Sequence, residues 1–190
     1  MARFIALDIG NVCLKIDSEP CIRYFGLQEF PITLLPTIVQ LECGKISEAE
    51  MFQQVRSLFS LDWSEEEILT GWNSILGPEI PRVGEKVRSW KQAGYEVIFF
   101  SDTSALHLQE VLKRLSFSEE ISGGVYSFET GAQKPSDVMY EAFEQRYGVP
   151  EWYFDDRLCN VEGARKRGWN ARQIMQESDL PFADSNGLVV

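Results

Sequence analysis

Three short apolar runs mark the chain, and each stops at polar residues. Phe4-Ile5-Ala6-Leu7 precedes Asp8, Val97-Ile98-Phe99-Phe100 precedes Ser101-Asp102, and Trp152-Tyr153-Phe154 precedes Asp155-Asp156. Continuous apolar runs of this length fit strands buried on both faces, as in parallel sheets covered by helices. Val125-Tyr126-Ser127-Phe128 is a weaker fourth strand. Between the runs the period changes to that of helices. Val83, Val87 and Trp90 share one face of a helix that ends at Gly94. Leu106 to Leu115 repeats the pattern behind Thr103-Ser104, another helix starts at Ser136, and Val161 to Arg167 precedes Gly168. Alternating strands and helices predict an α/β fold with a Rossmann-like parallel sheet. In such sheets the ligand crevice lies beyond the carboxyl ends of the strands, so the polar residues that close the three runs should meet there.

The segment from Leu14 to Pro81 interrupts this alternation and is too long for a simple connection. Ile46 to Phe59 and Ser64 to Leu76 read as helices, with Ser47-Glu48-Ala49-Glu50 and Ser64-Glu65-Glu66-Glu67 as their N-terminal signatures. The expected organisation is an α/β core from residues 1–13 and 82–190, with residues 14–81 inserted after the first strand as a small helical cap over the crevice.

Composition narrows the chemistry. With 18 basic and 29 acidic residues in 190, the net charge is -11, so phosphate backbones and anionic membranes are poor partners. No apolar run approaches the ~20 residues of a membrane span, and Asp8 interrupts the N-terminal stretch, so a cytoplasmic protein is expected. Cys13, Cys21, Cys43 and Cys159 lack zinc spacing and read as free thiols. The single histidine, His107, reads as a partly exposed helix residue.

If the strands are parallel, Asp8, Asp155 and Asp156 converge. Like charges ~4 Å apart repel by about 4 kcal/mol at an effective dielectric near 20, so a positive partner or a proton must sit among them. Oxygen-only ligands favour a hard cation such as Mg²⁺. Lys134, in Gly131-Ala132-Gln133-Lys134-Pro135, is placed to add a second positive charge.

Four short motifs in this order resemble the haloacid dehalogenase (HAD) superfamily of aspartate-nucleophile hydrolases. They are Asp8-Ile9-Gly10-Asn11-Val12, Ser101-Asp102-Thr103, Lys134-Pro135, and Phe154-Asp155-Asp156 with Asn160 and Ala164. The chain is most similar to the branch containing α-glucose-1-phosphate phosphatase and the N-terminal phosphatase domain of epoxide hydrolase. Glu42-Cys43-Gly44-Lys45-Ile46-Ser47 and Gly71-Trp72 are similar to the cap of that branch. The resemblance implies a Mg²⁺-dependent phosphatase acting on a small phosphorylated metabolite, a sugar phosphate above all, through an aspartyl phosphate on Asp8. Implied metal ligands are Asp8, the Gly10 carbonyl, Asp156 and Asp155, the last through a water. Lys134 and Ser101 would hold the phosphoryl oxygens, assisted by backbone N–H groups near Gly10, Asn11 and Asp102. Two other readings are a metal-independent 2-haloacid dehalogenase, against which the retention of Asp155 and Asp156 argues, and a catalytically weak binding protein with the same fold.

The chain departs from the superfamily pattern twice. Gly10 stands where most of its phosphatases carry a general-acid aspartate, a group typically worth ~10²–10⁴-fold. Either another group supplies the proton, with Asp17 and Lys15 as candidates, or the leaving group needs little protonation, which favours anomeric sugar phosphates. Asp102 replaces the usual asparagine of the second motif and adds negative charge near the expected phosphate.

Overall fold

The computed structural model describes residues 2–59, 62–184, 186, 187 and 189. The chain opens with β1 (Arg3–Leu7) and a short β2 (Leu14–Ile16), then runs through α1 (Glu19–Tyr24), α2 (Leu35–Glu42), α3 (Glu48–Phe59) and α4 (Glu65–Asn73). It returns through β3 (Leu76–Glu79) to α5 (Val83–Gln92), β4 (Tyr95–Ser101), α6 (Ala105–Arg114) and β5 (Ile121–Tyr126). A short α7 (Ser127–Thr130), α8 (Asp137–Tyr147), β6 (Trp152–Asp155), α9 (Leu158–Lys166) and β7 (Ala171–Gln173) follow.

Five strands form one sheet in the order β5-β4-β1-β6-β7, with every pair parallel. Side chains alternate across the strands. Ile5, Leu7, Val97, Phe99 and Phe154 enter one core with Val83, Val87 and Trp90 of α5 and Val111 of α6. Ala6, Ile98, Phe100 and Tyr153 enter the other with Met139, Tyr140 and Phe143 of α8 and Val161 and Ala164 of α9. Burial on both faces explains why these strands read as unbroken apolar runs. The chain moves outward from β1 through β4 to β5, then returns to β6 on the other side of β1. That reversal opens a crevice at the carboxyl ends of β1, β4 and β6.

The inserted segment carries helices α1 to α4, but its two ends pair antiparallel as β2 and β3. Leu76, expected to close a helix, therefore belongs to a strand, because α4 stops at Asn73 ahead of Gly77-Pro78. A capping box joins Ser64 and Glu67 at the start of α4, as the sequence predicts. The insert has its own core of Leu34, Leu41, Met51, Phe52, Val55, Ile68 and Trp72, which Leu106 of α6 joins.

Other expectations needed correction. The fourth strand starts earlier, at Ile121, and Ser127-Phe128 already turn into α7. Ser136 stands at the N-cap of α8, but its side chain makes no cap hydrogen bond. His107 is 5% exposed, where the sequence predicts a partly exposed helix residue, because Trp72 of the insert stacks on its ring at 5.3 Å. The four cysteines are free thiols, as expected, with Cys159 exposed and the other three buried. Among the described residues, no helix is long and apolar enough to cross a membrane.

Candidate active site

Asp8 is the first residue beyond β1, and its amide donates to the Phe154 carbonyl at 2.9 Å, which fixes it beside the end of β6. Asp155 ends β6 and Asp156 follows it. Lys134 arrives from the loop ahead of α8. The structure brings all four together: Lys134 Nζ lies 2.9 Å from Asp8 Oδ1 and 2.7 Å from Asp155 Oδ2, and donates to the Phe100 carbonyl at 2.7 Å. Its three N–H groups are thus all in use. Asp8, Asp155 and Asp156 each bring a carboxylate oxygen within 4.8 Å of the others.

The three carboxylates differ in what remains free. Asp155 is fully buried and accepts from Lys134, Tyr153 Oη, the Arg157 amide at 2.8 Å and Asn160 Nδ2 at 3.1 Å. Those donors occupy the sites a carboxylate offers. Burial works to raise its pKa, but the Lys134 charge and these hydrogen bonds outweigh it and hold Asp155 low. Asp8 keeps 9% of its side chain exposed, and burial pushes its carboxyl up to about 7 despite Lys134. Burial also raises Asp156, against one hydrogen bond from Asn11 Nδ2 at 3.1 Å. Burial opposes the charge on Lys134 too, yet Asp155, Asp8 and Asp102 together raise its pKa.

The loop after β1 is held by its own backbone. Asn11 adopts a left-handed φ of 54°, which asparagine tolerates. Its Oδ1 accepts from the Ile16 amide at 3.0 Å while Nδ2 reaches Asp156, so one side chain ties β2 to the end of β6. Gly10 lines the cavity beside Asp8, with Ser101, Asp102, Gln133, Asn160 and His107 among the other walls of a space of about 260 Å³. Asp102 Oδ1 accepts from the Lys134 amide at 2.8 Å, while among the described residues its buried Oδ2 has no hydrogen-bond partner and only the Arg157 guanidinium, 4.0 Å away, as an ion-pair partner. Burial raises the Asp102 pKa.

A larger cavity of about 670 Å³ adjoins this one, sharing Asn11, Ile16 and Asp156. Lys15 and Asp17 line the larger space rather than the one holding Asp8, and Asp17 Oδ1 is taken by the Glu19 amide at 2.9 Å. Neither is placed to protonate a group held at Asp8.

Sequence reasoning passed over Glu42. It ends α2, lines the Asp8 cavity and accepts from Gln133 Nε2 at 2.7 Å. Burial, then the Asp102 charge, pushes its carboxyl up to about 7. Gly44, two residues on, has φ +60, and a Cβ there would lie 2.3 Å from the Phe128 carbonyl. This close approach seats the end of α2 on α7. The signal was present in the Glu42–Ser47 stretch, but without a role to attach to it.

The oxygen-only donor set fits a hard divalent cation. Lys134, with no N–H to spare, and Arg157, 4.0 Å from Asp102 Oδ2, face the carboxylates of Asp8, Asp102, Asp155 and Asp156, so the pocket has an excess of negative charge. Such an excess calls for a further positive group.

No protein-family model and no curated protein matches the chain. Solved structures do. A HAD family enzyme from Bacteroides thetaiotaomicron superposes with a TM-score of 0.82 at 23% identity, covering 92% of this chain and 94% of that one. The same enzyme, solved in complex with magnesium and inorganic phosphate, gives 0.77 at 21%, covering 93% and 96%. The L-2-haloacid dehalogenase of Xanthobacter autotrophicus gives 0.62 at 13%, covering 92% and 78%. The five-stranded parallel sheet, its helical insertion after the first strand and these superpositions together show that the chain has the HAD-like fold.

Proposed function

We propose that the protein is a Mg²⁺-dependent phosphomonoesterase that hydrolyses a small phosphorylated metabolite through an aspartyl phosphate on Asp8. The observation that carries this reading is the contrast between Asp8 and Asp155: both touch Lys134, but only Asp8 keeps an oxygen open to the cavity. An anion that attacks a phosphate needs its charge offset while it stays in line with phosphorus. Lys134 supplies part of that, and its bonds to Asp8 and Asp155 orient the attacking carboxylate.

Asp8, the Gly10 carbonyl and Asp156 would hold the metal. Asp155 lacks a free oxygen and serves instead to anchor Lys134 and Asn160. This refines the expectation that Asp155 sits in the metal's hydration shell. The metal, when bound, would neutralise charge on the phosphoryl oxygens and bring them against Asp8. Ser101, at the end of β4, and backbone N–H groups around Asn11 and Asp102 would receive those oxygens. Residues 14–81 would act as the cap that closes over the leaving group. A sugar phosphate, and membership of the glucose-1-phosphatase-like branch, are the finer form of this proposal and rest on the motif resemblance. Its wider support is the Bacteroides enzyme, solved with magnesium and inorganic phosphate.

Phosphate release from a panel of phosphorylated metabolites tests the reading. Turnover should require Mg²⁺, stop with EDTA and vanish in Asp8→Asn. Dehalogenation of 2-haloacids that survives EDTA would favour the dehalogenase reading instead. Binding of phosphorylated metabolites without turnover would point to a binding protein.

A further inference from the structure

We propose that Glu42, carried on the helical insert, is the acid that protonates the leaving oxygen in place of the carboxylate missing at Gly10. The inference rests on the phosphatase reading above and deepens it. Glu42 and Asp8 line one cavity of about 260 Å³, below the ~300–1,000 Å³ usual for ligand clefts, so an occupant seated on Asp8 also reaches the wall formed by the end of α2. Phosphate seated in line with the open Asp8 oxygen directs its ester oxygen away from the end of β1. Of the other acidic side chains on the cavity wall, Asp102 accepts the Lys134 amide through Oδ1 and has the Arg157 guanidinium 4.0 Å from Oδ2, and Asp156 accepts from Asn11 and is a proposed metal ligand.

Glu42 is prepared for the role. Gln133 Nε2 donates to Oε2 and fixes the side chain, while among the described residues Oε1 has no hydrogen-bond partner. The charges that act on it are Asp102, beyond β4, and Arg157, beyond β6. Glu129, on the α7 segment against which α2 packs, is engaged by Arg146 at 3.8 Å. Burial is the largest influence and holds the carboxyl near 7, a value suited to giving up a proton and taking it back at neutral pH.

The step balances. As the Asp8 oxygen bonds to phosphorus, the ester P–O bond breaks and the Glu42 proton passes to the departing oxygen, releasing an alcohol and leaving a carboxylate. Water then attacks the phosphorus of the aspartyl phosphate and gives its proton to Glu42 as the bond from Asp8 to phosphorus breaks and its electron pair returns to the carboxylate. Inorganic phosphate leaves, and Asp8 and Glu42 return to their starting states.

Leaving-group dependence tests the assignment. With Mg²⁺ present, wild type, Glu42→Gln and Glu42→Asp are compared on p-nitrophenyl phosphate, whose leaving group needs no proton, and on a primary alkyl phosphate, whose leaving group does. Glu42→Gln should lower kcat/KM on the alkyl ester by ~10²–10⁴-fold and on the aryl ester by far less, with Glu42→Asp recovering part of the loss. An equal loss on both esters, or none on either, overturns the proposal. If Glu42→Gln does not fold, the wild-type pH profile decides. Rates on the alkyl ester should fall above about pH 7 while those on the aryl ester do not, and parallel profiles overturn the assignment. If wild type and Asp8→Asn are equally inert on both esters, the phosphatase reading itself has failed and this inference falls with it. Activity that disappears in Asp8→Asn but is indifferent to Glu42 removes the inference alone.

Discussion

Lys134 Nζ and Asp8 Oδ1 meet at 2.9 Å across 126 residues of sequence, with the lysine side chain 1% exposed and the aspartate 9%. The lysine is the buried positive charge that lets Asp8 and Asp155 approach each other. Removing it strands both carboxylates. Lys134→Met should cost about 3–5 kcal/mol of stability, the usual penalty for breaking a buried pair from one side. Urea denaturation in the presence of a chelator measures it. A loss below about 1 kcal/mol would show that Asp8 and Asp155 escape the penalty by taking up protons.

Asn11 couples backbone shape to metal-site geometry. Its left-handed φ of 54° and its two hydrogen bonds act separately. Asn11→Gly keeps the conformation and loses the bonds, whereas Asn11→Ala loses both. Asn11→Ala should therefore be less stable than Asn11→Gly by about 1–2 kcal/mol, the left-handed penalty. Both variants should need more Mg²⁺ for half-maximal activity. If the two are equally stable, the backbone carries no strain there.

Gly44→Ala would place a Cβ 2.3 Å from the Phe128 carbonyl at a residue with φ +60. The substitution should cost more than about 1 kcal/mol and displace the end of α2. Thermal unfolding reads the first effect. A selective loss of alkyl-phosphate turnover, as in Glu42→Gln, reads the second. Wild-type behaviour in both assays would mean that α2 is not held at this point.

His107 should leave a signature in the pH dependence of stability. Burial lowers its pKa from 6.5 to about 4, with Nε2 lying 3.2 Å from the Trp72 carbonyl. Below about pH 6.5 the unfolded chain takes up a proton that the folded chain refuses, so the stabilisation is present above 6.5 and lost as pH falls towards 4. The advantage of wild type over His107→Gln should shrink across that window by up to about 3 kcal/mol. Using the difference cancels Asp8 and Glu42, whose raised pKa values act in the opposite direction. Parallel stability profiles would mean that His107 titrates normally.

Asp102→Asn keeps an acceptor for the Lys134 amide and removes a buried negative charge beside the phosphate position. KM for phosphate esters should fall several-fold, with kcat changed less. An unchanged KM would show that Asp102 is already neutral in the folded protein.

The parts of the fold that sequence displayed are those where burial is symmetrical or capping is local. β1, β4 and β6 lie between two cores and so carry unbroken apolar runs, and Ser64 with Glu67 marks a helix start within four residues. β2 and β7 have three residues each, too short for any period to register. α1 has six residues and α2 begins at a Leu-Pro pair, so neither shows a helical face in sequence. The site divides in the same way. Asp8, Asp155, Asp156 and Lys134 stood out because they close strands or interrupt loops. Their inequality did not, since the saturation of Asp155 depends on Tyr153, Arg157 and Asn160 folding around it. His107 and Glu42 were missed because their environments come from distant segments, Trp72 of the insert for one and Gln133 of the core for the other.

Calorimetric titration of Mg²⁺ into the protein at neutral pH bears most directly on a metal held among these oxygens. A single saturable site is expected in wild type, absent from folded Asp156→Asn and strengthened by inorganic phosphate. Binding that is equal in wild type and Asp156→Asn, or no binding with phosphate present, would contradict it.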